Sequence, residues 1–102
     1  MSTVDIRFEL NGVAFVWNAK KAAANPGKHE GVTFEQAATV FFDPFFRLVE
    51  AGRNDEARDA IVGFDAVGHV LFVVHIEVAE GAIRIISARR ATNKERRDYE
   101  RN

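Results

Sequence analysis

Two short runs with a period of two, Ile6, Phe8, Leu10 and then Val13, Phe15, Trp17, meet at Asn11-Gly12. Side chains two apart share one face of a strand, and a tight hairpin turn needs positive φ at both central residues, which Asn and Gly tolerate. The spacing therefore predicts a β-hairpin with one strongly apolar face. An isolated two-stranded hairpin is marginal in water, so that face has to be covered by the rest of the chain.

Beyond the hairpin, local signals mark the remaining elements. Lys20 to Asn25 is Ala-rich and favours a short helix, which Pro26-Gly27 is expected to stop or kink. Thr33 and Gln36 have the spacing of a capping box, and Phe34, Ala37, Ala38 and Phe41 recur at helical intervals, predicting a second helix that ends near Phe42 before Asp43-Pro44. Phe45–Glu50 reads as a strand and Ala51–Ala57 as a loop. Strands are expected over Arg58–Phe64, His69–Glu77 and Ala82–Ala88, joined by turns too short for a helical crossover, which implies an antiparallel meander. Thr92 and Glu95 form another capping box, and the helix they open runs to the chain end. The expected class is α+β: one domain over residues 1–102, an antiparallel β-sheet of about four strands plus the N-terminal hairpin, with two N-terminal helices and one C-terminal helix packed on one face.

With 102 residues the chain suffices for one modest core. It contains no Cys, which excludes thiolate nucleophiles and Cys-based zinc sites and fits a reducing, cytoplasmic setting. No secretory leader or membrane-spanning run is expected, since the longest strongly apolar stretch is Val70–Val74. Three scattered His residues give no metal-ligand spacing, and neither a metal nor a cofactor is expected. The charge is unevenly spread. Residues 84–102 hold seven of the fourteen Lys and Arg side chains against three acids, although the whole chain has a net charge of −1. Such asymmetry suits either an anionic partner or a solvated helix whose arginines pair with neighbouring acids.

Larger patterns carry a family likeness. Phe15-Val-Trp-Asn18, Asn25 with Lys28-His29 and Gly31-Val32, Phe34-Glu-Gln-Ala37, Val40-Phe-Phe-Asp-Pro44, and Arg84-Ile-Ile-Ser-Ala-Arg-Arg-Ala-Thr92 with Glu95, Arg96 and Tyr99 together resemble the BrnT family of toxins from bacterial type II toxin–antitoxin systems. The likeness runs from Phe15 to Tyr99, and the stretch from Arg84 to Arg96 is its most specific part. Asn18 stands where the family commonly has Asp, Glu30 looks inserted within Lys-His-Gly, Pro26-Gly27 interrupts a usually continuous helix, and Phe64 follows Gly63 where many relatives have a basic or small polar residue. The resemblance implies a RelE-like fold and an RNA endonuclease that inhibits translation. It also implies a cognate ribbon-helix-helix antitoxin (BrnA-like) that neutralises the toxin and mediates its indirect contact with operator DNA.

Metal-independent RNA cleavage must activate the ribose 2′-hydroxyl, stabilise charge on the phosphate and protonate the leaving 5′-oxygen. Arg58, Arg84 and Arg89 are the candidates for phosphate and transition-state contacts, because a guanidinium stays charged and binds phosphate through two parallel hydrogen bonds. Arg84, inside an apolar strand, and Arg58, which opens another, are equally readable as rim residues with their heads in water, and Arg89, just after the strand and before the helix cap, as a positional residue. His29 is the candidate proton carrier, or else a residue that packs between the two helices. Lys28 and Arg90 are candidate RNA contacts. Strict alternation through Ala82–Ala88 would set Arg84, Ile86 and Ala88 on one face and Ile83, Ile85 and Ser87 on the other. The competing reading is a catalytically inactive binding module acting with the antitoxin in operator autoregulation.

Overall fold

Asn11 and Gly12 adopt φ of 51° and 81° in the computed structural model, so the first turn is the one its sequence demands. The structure describes residues 4–51 and 59–101. Strands β1 (Asp5–Leu10) and β2 (Val13–Asn18) form the hairpin, followed by helices α1 (Ala19–Lys28) and α2 (Phe34–Val40). Then come β3 (Arg47–Glu50), β4 (Asp59–Phe64), β5 (Val70–Glu77), β6 (Ile83–Arg90) and helix α3 (Asn93–Glu100).

All six strands belong to one sheet, in the order β1-β2-β6-β5-β4-β3. This corrects the expectation of a four-stranded antiparallel sheet with a separate hairpin, because β2 pairs in parallel with β6, Phe15 opposite Ile83 and Val16 opposite Arg84. Local alternation identifies strands but carries no information on which distant strand becomes the neighbour. Burial supplies the reason for this pairing: Phe15 and Trp17 are almost fully buried with Ile85 and Ala88 of β6 in one cluster. Removing two such aromatic side chains from water contributes several kcal/mol, on the order of 1.5–3 each.

The helices also lie otherwise than expected, on both faces of the sheet. On one face α1 and α2 cover Phe15, Trp17, Ile61, Leu71, Val73 and Ile85. On the other, α3 crosses β4 and seals Ala60, Val62, Val70 and Phe72 beneath Tyr99. The alternating burial of β4 and β5 serves both layers, which is why these strands read as nearly continuous apolar runs.

Helix α1 runs through Pro26 rather than ending before it. A proline there removes one backbone donor and disfavours helical geometry at Asn25, but Asn25 is buried and held by tertiary bonds. Its Nδ2 donates to the carbonyls of Val32 and Ala88, both at 2.8 Å, and its Oδ1 accepts from the Ala88 amide at 3.4 Å. The helix then closes through His29 N–H to the Asn25 carbonyl and Gly31 N–H to the Pro26 carbonyl, with Glu30 and Gly31 in the left-handed region at φ 58° and 83°. Asn18 caps its start by accepting from the Lys21 amide at 2.9 Å.

Asn25→Ala should lower stability in urea unfolding by about 3 kcal/mol, because it strands two buried carbonyls. A loss below about 1 kcal/mol would show that the α1–β6 link is incidental.

Candidate functional site

Strand β6 contains an irregularity that decides where its arginines point. Val74 faces Ser87, but the next residue of β5, His75, faces Ile85, so Ile86 is an extra residue in β6. Such a bulge resets the alternation. Ile83, Ile85 and Ala88 therefore share the face covered by α1 and α2, while Arg84, Ser87 and Arg89 share the opposite face, across from Ile76, Val74 and Phe72. Strict alternation would separate Arg84 from Ser87 and place it with Ala88. With an odd separation of five, Arg84 and Arg89 reach one face only because of the bulge.

Each arginine is held by a carboxylate in a two-pronged contact. Arg84 donates from Nη1 and Nη2 to Oδ1 and Oδ2 of Asp5 on β1, at 3.3 and 2.8 Å. The pairing raises the Arg84 pKa above its ordinary value and lowers that of the Asp5 carboxyl, in both cases chiefly through the side-chain hydrogen bond. Arg89 donates from Nη1 and Nη2 to Oε1 and Oε2 of Glu95 at 2.8 and 3.0 Å, and its guanidinium carbon lies 4.1 Å from the centre of the Phe72 ring. Glu95 also accepts from the Thr92 amide at 2.9 Å, so one carboxylate completes the capping box of α3 and orients Arg89. The Arg89 hydrogen bond, helped by the Thr92 amide, outweighs burial and keeps the Glu95 carboxyl below its ordinary pKa.

Beside this pair a cavity of about 190 Å³ opens between α3 and the sheet, lined in part by Arg47, Phe72, Glu95 and Tyr99. Arg47 projects from β3 and its Nη1 donates to the Asp98 carbonyl at 3.3 Å. Sequence alone does not single it out, since nothing local reveals that α3 lies over β3 and β4. Tyr99 is committed elsewhere: burial and its bond to Asp43 push its pKa up to about 12, so it stays protonated near neutrality. Asp43 in turn accepts from the Phe64 amide at 2.8 Å and the Phe45 amide at 2.9 Å. Gly63 permits this close approach, because a Cβ there would lie 2.9 Å from the Asp43 carboxylate.

Of the residues expected at a site, Arg84 and Arg89 are brought to one surface. Lys28 and His29 end α1 on the other side of the sheet, with Lys28 exposed and His29 half-buried. Arg90, opposite Leu71, turns away from Arg89 and lines a cleft at the strand end with Glu30 and Arg96. Arg58 lies outside the described residues. His75 is buried against Phe41, ring centres 4.9 Å apart, and burial lowers its pKa. Among the described residues no cluster of three or more His, Asp or Glu side chains is arranged to hold a metal ion, and no helix is long and apolar enough to cross a membrane.

A family model described as the ribonuclease toxin, BrnT, of type II toxin-antitoxin systems matches residues 17–95, from Trp17 in β2 to Glu95 in α3. No curated protein matches the chain.

The Arg89–Glu95 contact has a pH signature. Because the folded pKa of Glu95 lies below its ordinary value of 4.5, its stabilising contribution is complete above that value and lost as pH falls through the lower folded pKa. The stability advantage of the wild type over Glu95→Gln, read by urea unfolding, should therefore shrink as pH drops below about 4.5. An advantage independent of pH would contradict the assignment.

Proposed function

The chain belongs to the BrnT family of ribonuclease toxins of type II toxin–antitoxin systems, and from that membership we propose that it cleaves RNA on the sheet face that carries Arg84 and Arg89. The observation that supports this reading is the two-pronged hold of a carboxylate on each guanidinium. A phosphodiester offers the same pair of oxygens as a carboxylate, so an RNA backbone can exchange with Asp5 and Glu95 without rebuilding the arginine geometry. Strand rise puts the two arginines about 15 Å apart, a distance that spans more than one phosphate of an extended strand.

In the proposed reaction the ribose 2′-hydroxyl loses its proton and attacks the adjacent phosphorus, the bond to the 5′-oxygen breaks, and that oxygen takes up a proton from solvent water. The products are a 2′,3′-cyclic phosphate and a free 5′-hydroxyl. Arg89, with Phe72 excluding water on one side, stabilises the charge on the phosphate. Glu95 is ionised near neutrality and adjacent, and is the carboxylate positioned to accept the 2′-hydroxyl proton once phosphate has replaced it on Arg89. Arg84 holds a second phosphate farther along the same RNA strand. The scheme uses no metal. Arg58 stays in the proposal on sequence grounds, whereas His29, Lys28 and Arg90 are left out because they lie away from this face. The inhibitory partner is proposed to be a ribbon-helix-helix antitoxin through which operator DNA is contacted, and inhibition of translation by mRNA cleavage is the proposed cellular effect.

Cleavage of a labelled RNA by purified protein tests the site. Arg89→Ala should reduce the rate by about 100-fold or more, the usual cost of losing one charge-stabilising donor. Arg84→Ala should mainly weaken RNA binding and flatten its salt dependence, and His29→Ala should leave the rate near that of the wild type. Unchanged cleavage in both arginine variants would remove the site. A folded protein that binds its antitoxin but cleaves no RNA would instead favour the inactive binding module.

A further inference from the structure

The turn after α2 and the edge strand β3 leave large apolar side chains in water. Phe45 is 73% exposed, Leu48 66% and Phe46 40%. Contiguous apolar surface of this kind on a small protein marks an interaction site. It continues into a groove of about 290 Å³ on the face that carries α2, where Phe46 and Leu48 meet half-buried Phe41 and Ile83, and where Asp59 and Glu77 stand exposed. Strand β3 ends the sheet, and among the described residues it pairs only with β4. Unpaired backbone along an edge adds a further means of attachment.

The chemistry of the groove separates it from the arginine face. Among the described residues that line it are two carboxylates and no Lys or Arg, a lining that disfavours a nucleic-acid backbone and favours a basic partner. A second copy of the chain would bring the same two carboxylates to a two-fold interface, where like charges oppose association. A segment with apolar residues on one side and basic ones beside them satisfies both features.

We infer that this groove is a docking site for the antitoxin, receiving an amphipathic segment that sets large apolar side chains on Phe46 and Leu48 and Lys or Arg beside Asp59 and Glu77. The inference rests on the toxin–antitoxin reading, which supplies a protein partner, but not on the nuclease site. The occupied surface and the arginine face are on opposite sides of the sheet.

The test measures affinity by calorimetry between the full chain and the antitoxin encoded beside its gene. Leu48→Asp should raise the dissociation constant by about 30-fold or more, as loss of a buried interface anchor does. The double charge reversal Asp59→Lys, Glu77→Lys should weaken binding by about tenfold or more, and Arg84→Ala should leave it unchanged. Thermal melting and RNA cleavage by the uncomplexed variants check that the exposed-site substitutions keep the fold. Wild-type affinity in both Leu48→Asp and the charge reversal would overturn the inference. So would a wild-type chain that sediments as a dimer and becomes monomeric in Leu48→Asp, which assigns the groove to a second copy. Absence of RNA cleavage by the wild type, with antitoxin binding still lost in Leu48→Asp, would refute the nuclease reading alone.

Discussion

One extra residue in β6 governs how the two layers of the molecule are joined. Because Ile86 bulges opposite β5, Ile85 and Ala88 both enter the core under α1 and α2, while Arg84 and Arg89 both leave it. Regular alternation would force a conflict: with Ile85 inward, Ala88 would face outward, and Ser87 and Arg89 would turn inward towards buried Leu71 and Val73. A buried, unpaired guanidinium is far more costly than a local kink in a strand. The same strand receives β2 in parallel, is clamped through the Ala88 backbone by Asn25, and leads directly into the cap of α3. Much of the fold therefore converges on β6.

The arginine face combines charge with restraint. Asp5 and Glu95 keep the two guanidinium groups oriented and partly neutralised, and Phe72 fixes the plane of Arg89. Asp43 ties Tyr99, and with it α3, to the start of the turn beyond Gly63, so the helix that supplies Glu95 is anchored to the sheet at its far end. Such anchoring matters because a contact displaced by an ångström loses much of its effect on a reacting phosphate. The proposed phosphate contact and the proposed antitoxin docking fall on separate surfaces, one carrying paired arginines and carboxylates and one apolar with acidic margins.

Several elements were legible because their determinants are local. Asn11-Gly12 specifies a turn, Thr33 with Gln36 and Thr92 with Glu95 specify helix starts, and all three are present as read. Features that escaped a sequence reading depend on distant partners. The parallel union of β2 with β6, the passage of α1 through Pro26 under the hold of Asn25, and the placing of α3 on the opposite face are set by tertiary burial. The bulge is similar: Ile85-Ile86 offers two equivalent β-branched residues, and only pairing with β5 selects which is extra. The site shared this division. Arg84 stood out as a charge inside an apolar strand and Arg89 as a basic residue just beyond it, before the helix cap, although β6 runs on through Arg90. Arg47 and Glu95 acquire relevance only after α3 is seen over the sheet, and His29, attractive by residue type, sits on the other side.

The most direct measurement tracks the arginine side-chain Nε–Hε resonances of the isotope-labelled chain during titration with a 2′-O-methyl RNA oligonucleotide, which binds without being cleaved. The signals of Arg84 and Arg89 should move together with one dissociation constant that rises with salt. If both remain fixed while the resonances of Lys28 and His29 move, RNA binds the opposite face and the central claim is contradicted.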